Sequence, residues 1–204
     1  MDKFTHHATP ANIIGNSTFI DYVATNNNPN AILIVTHNWN PGGSGSIYNT
    51  AQIGVWFDRS QGKWAVFNQD HSPMPNGVAF NVQVLNESAW SFVHYATLTN
   101  STENYTHLDH WLTNQKPNTA LFVTANYNPN GSDTGVYNNH AIGVWYDQRV
   151  GKWAIFNQDL AVMADRTAFN VEILSGEDDP SFAEHVVMHT ADELSILGNY
   201  TQVN

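Results

Sequence analysis

The stretch GKWAVFNQD at residues 62–70 returns as GKWAIFNQD at 151–159. Each copy follows a second near-identical pair, IGVWFD at 53–58 and IGVWYD at 142–147, across a short loop that ends in Gly. Two apolar runs of strand length joined by such a loop read as a β-hairpin. Period-2 alternation puts Trp64, Val66, Asn68 and Asp70 on one face, and Ala65, Phe67 and Gln69 on the other. Both faces start apolar and end polar, so the strand is expected to leave the core as it runs. Its Asn-Gln-Asp end has two readings. Asn and Asp can cap a strand end by accepting from local backbone N–H groups. Alternatively, Asn68 and Asp70 beside Trp64 form a polar rim on an aromatic platform, as Asn157 and Asp159 would beside Trp153.

Working outward, the whole chain is a repeat, and self-similarity of this kind decides architecture. Phe4–Thr36 aligns with Phe92–Thr124 at a constant offset of 88 residues, and Tyr48–Leu85 aligns with Tyr137–Leu174 at an offset of 89. A third, partial copy follows, in which NIIGNSTFID (12–21) matches SILGNYTQVN (195–204) and His6 falls on His189. Each full unit reads as about six short strands separated by Asn, Pro and Gly turns. In the first unit they lie near 3–9, 16–23, 31–39, 52–58, 63–69 and 78–85. Only 180–196 has room for a short helix. The expected fold is all-β: two tandem six-stranded antiparallel repeats, barrel- or sandwich-like, at 1–90 and 91–180. The partial third repeat, 181–204, is expected to complete a sheet, on the second repeat or on a neighbouring chain.

Composition narrows the function classes. The 204 residues carry 7 Lys plus Arg against 18 Asp plus Glu, a formal charge of −11, which disfavours nucleic acid and anionic membranes as partners. No apolar run is long enough for a membrane-spanning helix. The opening MDKFTHHATP has no apolar core, so a signal peptide is not expected within this chain. Cysteine is absent, which removes disulfides, thiolate metal sites and a Cys nucleophile. Asn occurs 26 times, and an Asn-rich, Lys-poor, Trp-rich chain fits secreted bacterial β-proteins better than cytosolic enzymes.

Two Gly- and Asn-rich loops carry the other candidates. VTHNWNPGGSGSIYN (35–49) offers Trp39, Asn40 and Tyr48, and VTANYNPNGSDTGVYNNH (123–140) offers Tyr127, Asn128, Tyr137 and His140. An exposed aromatic beside amide groups suits a recognition loop; an aromatic lid over the sheet end is the alternative. Asn128, Asn130, Ser132 and Asp133 have oxygen atoms for Ca²⁺, but their spacing matches known loops poorly and Asp133 aligns with Gly45. Solvated loops are the preferred reading, and no cofactor is expected. Of ten His residues, only His6, His94 and His189 recur, one per unit, which favours hydrogen-bonded structural roles over zinc. Asp21, Asp58 and Asp70 recur as Asp109, Asp147 and Asp159 without any hydrolase or phosphate-binding motif. An intact polar pattern kept in both copies fits repeated binding better than catalysis.

The string VTHNWNPGGSG…YN…IGVWFD…GKWAVFNQD…MPNGVAFNV, with its second copy, resembles a repeat domain found in tandem in secreted or surface-associated bacterial proteins. The resemblance spans nearly the whole chain and carries no settled activity. Thr50-Ala51 stands where the second unit has Asn139-His140, a departure that separates the two candidate sites. The reading at this point is a non-enzymatic, extracellular, carbohydrate-binding protein with one glycan or polysaccharide site per repeat. The alternative is a structural surface or fibre subunit, a homo-oligomer built through its repeats and C-terminal strands.

Overall fold

A computed structural model describes residues 2–43, 45, 47–175, 189–192 and 195–203. Among them the fold is all-β, with strands in the order the repeat predicts. The first repeat contains β1 (Asp2–His7), β2 (Ile13–Ile14), β3 (Ser17–Phe19), β4 (Ile32–His37), β5 (Ile53–Asp58), β6 (Lys63–Asn68) and β7 (Ala79–Leu85). The second contains β8 (Ser91–Tyr95), β9 (Ser101–Thr102), β10 (Tyr105–His107), β11 (Ala120–Ala125), β12 (Ile142–Asp147), β13 (Lys152–Asn157) and β14 (Ala168–Ser175). Each repeat therefore has seven strands, not six. The extra one is β2, two residues too short to register as alternation, which Gly15, at a φ of 61°, turns back onto β3.

Among the described residues every sheet is antiparallel and none closes into a barrel. In repeat one, a three-stranded sheet β1-β7-β4 packs against a four-stranded sheet β2-β3-β6-β5. Repeat two reproduces both, as β8-β14-β11 and β9-β10-β13-β12. The core lies between the two sheets: Leu33, Val35, Phe80 and Val82 of one meet Val55, Phe57, Trp64 and Val66 of the other. Phe169, Val171 and Ile155 do the same in the second repeat. Sandwich packing of this kind buries one face of each sheet. The hairpin read from 53–58 and 63–68 is present, with Ile53 opposite Asn68 and Asp58 opposite Lys63. Its turn needs Gly62, which has a φ of 63° and whose added Cβ would strike the Asn27 side chain.

The recurring His residues hold the units' opening strands together. His6 Nε2 lies 2.8 Å from Thr18 Oγ1 and His94 Nε2 lies 2.9 Å from Thr106 Oγ1. Both Thr hydroxyls donate onward, to Asn12 and Asn100, so each imidazole nitrogen is the donor to its Thr. His189 and Thr201 repeat the contact at 2.7 Å. The third copy thus preserves the local geometry of the unit, with β15 (Ile196–Leu197) and β16 (Tyr200–Thr201) paired only with each other among the described residues. The remainder of the expected sheet-completing segment, and most of the short helix expected over 180–196, lie outside the described residues.

Candidate functional site

The Asn-Gln-Asp strand end is built as a cap. Asn68 has no exposed surface; its Oδ1 accepts from Asn49 Nδ2 at 2.8 Å, and its own Nδ2 donates to the Ser72 and Pro73 carbonyls at 3.1 and 3.3 Å. Asn157 repeats this with Asn138 Nδ2 at 2.9 Å and the Ala161 carbonyl at 3.0 Å. Asp70 accepts from Ser72 N–H at 2.9 Å and Ser72 Oγ–H at 2.6 Å, an Asx-turn whose donors hold its carboxyl below the usual range. Trp64 is fully buried and donates Nε1–H to the Asn28 carbonyl at 2.8 Å, while Trp153 is half-buried and bonds the Lys116 carbonyl at 3.0 Å. The expected exit of this strand from the core does not occur. The loop at 72–74 and Asn49 fold over its end, so Trp64 and Asn68 cannot present a rim to a ligand.

The other matched carboxylates are similarly committed. Asp21 pairs with Lys63 at 2.9 Å and Asp109 with Lys152 at 2.8 Å. Asp58 accepts from Ser60 and Gln61 in its turn, and Asp147 accepts from Arg149. All four have lowered pKa values, opposite to what a general acid needs. His140 is bound to Asp159, with Nδ1 2.7 Å from Oδ2, a contact that Ala51 denies to Asp70 in repeat one. No group of three or more His, Cys, Asp or Glu converges among the described residues. Asn128, considered for Ca²⁺, is instead turned into the junction between repeats.

That junction joins the head loop of repeat two to the strand edge of repeat one. Asn128 Oδ1 accepts from Phe57 N–H at 2.8 Å, and its Nδ2 donates to the Phe57 carbonyl at 3.0 Å. Tyr127 N–H reaches the Val55 carbonyl at 2.9 Å. Thr124 Oγ1 accepts from Val35 N–H at 2.9 Å, Asn170 Nδ2 donates to the Leu33 carbonyl at 2.9 Å, and Gln69 Oε1 accepts from Asn138 N–H at 2.8 Å. One amide that satisfies both polar groups of an edge residue completes a strand edge without adding a strand.

Beside these bonds lies an open cleft of about 390 Å³. Trp56, Asn16 and Arg59 from repeat one face Tyr127, Tyr137 and Asp133 from repeat two. Tyr127 and Tyr137 pack at 4.6 Å between ring centroids, and both stand edge-on to Phe67, at 6.0 and 5.8 Å. Trp56 donates Nε1–H to Ser17 Oγ at 3.2 Å, and Arg59 lies 3.7 Å from Asp133. Burial, with Tyr127 alongside, pushes the Tyr137 phenol pKa up, so it stays a neutral donor. In repeat one the matching residues are also brought together: Trp39 stacks on Tyr48 at 5.3 Å, 45% and 68% exposed, beside the exposed Asn40. The residues that the sequence reading missed are Trp56, Arg59 and Asn16. Trp56 was visible in IGVWFD, but nothing in one unit's pattern shows that a second unit closes over it.

The chain belongs to the family described as a domain of unknown function, DUF7452, which matches residues 1–84 and again 54–173. The second match begins inside the first repeat and ends in β14, so the family unit recurs within this one chain. No curated protein and no solved structure matches the chain significantly.

Proposed function

We propose that the protein is a non-enzymatic carbohydrate-binding module whose ligand lies in the cleft between its repeats. The observation that supports this reading is the lining of that cleft. Trp56, Tyr127 and Tyr137 supply aromatic surface for the C–H faces of a sugar, and Asn16, Arg59 and Asp133 supply donors and acceptors for its hydroxyls. A volume of about 390 Å³ suits a short oligosaccharide segment. The site is relocated from the duplicated strand end to the duplicated loop, whose aromatic pair occurs in both repeats. Carboxylates tied up in turns and ion pairs, with lowered pKa values, accord with binding rather than hydrolysis. An extracellular or cell-surface setting, as in the bacterial proteins the sequence resembles, goes with such a ligand.

A glycan array followed by titration of the hits tests the proposal. Trp56→Ala and Tyr137→Ala are each expected to weaken binding at least about tenfold, the loss of one well-packed aromatic contact. Trp111→Ala, which removes an exposed Trp away from the cleft, is expected to leave it unchanged. The absence of any glycan ligand, or binding indifferent to both cleft substitutions, ends this reading.

A further inference from the structure

The junction between the repeats uses a head surface on repeat two and a tail edge on repeat one. The chain also carries a second copy of each, the head on repeat one and the tail on repeat two, neither seated on another repeat among the described residues. Thr124, Asn126, Asn128 and Asn170, which form the seated head, are all at most 5% exposed. Their counterparts in repeat one are Thr36, Asn38, Asn40 and Asn81, the same four residue types, and Thr36, Asn40 and Asn81 are exposed. The internal geometry of the head is already in place: Asn38 Nδ2 donates to Asn81 Oδ1 at 2.8 Å, as Asn126 Nδ2 donates to Asn170 Oδ1 at 2.8 Å. In repeat two that bond leaves the Asn170 Nδ2 aimed at the Leu33 carbonyl.

The tail shows the converse. Leu33, Val35, Val55 and Phe57 point into the core of repeat one while repeat two bonds their edge backbone, and all four are buried, whereas Leu121, Val123, Val144 and Tyr146 at the matching positions are only half-buried. Gln69 is buried on Asn138, but its counterpart Gln158 is exposed. Half of the junction cleft is open there as well: a hollow of about 280 Å³ is lined by Asn104, Tyr105, Trp145 and Phe156, which stand at the positions of Asn16, Ser17, Trp56 and Phe67. The apolar contacts match in the same way. His71 packs on Tyr137 at 4.4 Å in the junction, and the corresponding Leu160 and Tyr48 are 76% and 68% exposed.

We infer that a second copy of this chain docks head-to-tail, its Thr36, Asn38, Asn40 and Asn81 surface seated on the β11 and β12 edge of this one. The occupant is identified by continuity with the junction inside the chain, where the same residue types already make the same contact. The two surfaces differ, so the interface is heterologous, and it closes into a ring or extends as a filament according to its rotation. Leu160 then packs on Tyr48, and the Trp145 hollow receives Trp39 and Tyr48, forming a second cleft of the type already present between the repeats. This assembly does not depend on the carbohydrate reading, because it is argued from the junction bonds rather than from the cleft.

Two single-cysteine variants of the full chain, Tyr48→Cys and Leu160→Cys, test the inference, since the native chain contains no cysteine. Both positions are exposed, so folding is retained, and a short bis-maleimide reports proximity. The mixture is expected to form cross-linked pairs, and each variant alone is expected to give far fewer. Sedimentation of the cysteine-free chain is expected to show mass rising from one copy to two or more with concentration. Thr36→Arg with Asn81→Arg, or Gln158→Arg alone, should shift each protein to a single copy, and mixing the two should restore a pair through the surviving head and tail. A single copy at every concentration with no cross-linking overturns the inference. So does cross-linking of each variant with itself and no pair between the two variants in the mixture, which would mark a symmetric contact.

Discussion

Asn68-Gln69-Asp70 and Asn157-Gln158-Asp159 are the same three residues at the same strand end, yet they are not in the same environment. The two Asn side chains are equivalent, each fully buried and bonded to a partner Asn and to a carbonyl of the following loop. The two Gln side chains are not: Gln69 is 3% exposed and accepts from the other repeat, while Gln158 is exposed. Contacts inside a unit follow the unit's sequence. Contacts between units follow position in the array, and among the described residues Gln69 faces a following repeat while Gln158 does not.

The largest effect that separates the repeats is in their Trp pair. Trp64→Ala removes a fully buried ring and its bond to the Asn28 carbonyl, and should cost about 3–5 kcal/mol. Trp153, half-buried at the equivalent point, should cost clearly less by chemical denaturation of the two variants. Equal losses would mean that the repeats pack alike despite their unequal burial.

Asn128 and Asn40 give the next contrast. Asn128→Ala strands the N–H and carbonyl of Phe57, both bonded to one side chain, and should cost about 2–3 kcal/mol. Asn40→Ala, exposed in the matching loop, should cost about 0.5 kcal/mol or less when measured in dilute protein. A comparable loss at both positions would show that this Asn serves its own loop and not the junction.

Acid sharpens a feature that the repeats share. Burial, with His7 adding repulsion, lowers the His6 pKa to about 4, and burial alone lowers that of His94 to about 4. An unfolded His titrates near 6.5, so the unfolded chain takes up protons first as pH falls. Stability from the two neutral imidazoles is therefore complete above about pH 6.5 and is lost progressively down to about pH 4. By pH 5.5 each should cost on the order of 1 kcal/mol, read as a fall in melting temperature. The double variant His6→Gln, His94→Gln should flatten that part of the profile. A slope unchanged by the substitutions would assign it to other groups.

Much of the fold was legible because it is written twice. The 53–58 and 63–68 hairpin showed itself through apolar runs and a Gly at the turn, and the unit boundaries through the offsets. The β2–β3 hairpin did not, since the two residues of β2 carry no period. The rim expected at Trp64 and Asn68 failed for a different reason. Alternation detects polar side chains at a strand end but not the partners that allow them to be buried: Asn49 lies 19 positions upstream of Asn68 in another loop. The cleft was less legible still, because Trp56 and Tyr127 belong to different units and only the docking of one on the other brings them together.

The smallest effect returns to the Gln pair and bears most directly on the junction. Gln69→Ala removes the acceptor of Asn138 N–H at 2.8 Å, in a site closed to water. The orphaned donor should cost about 1–2 kcal/mol. The Gln158 side chain bonds the Ile142 carbonyl of its own repeat, at 3.0 Å, from an exposed position where water can take its place. Gln158→Ala should therefore lie within about 0.5 kcal/mol of the parent in dilute protein. If the chain pairs head-to-tail, that difference should narrow as concentration rises, because Gln158 then acquires the Asn49 N–H of the next copy as Gln69 has that of Asn138. Melting curves of the two variants over a wide concentration range read this directly. A gap that stays constant would leave the tail of repeat two a solvent-facing edge.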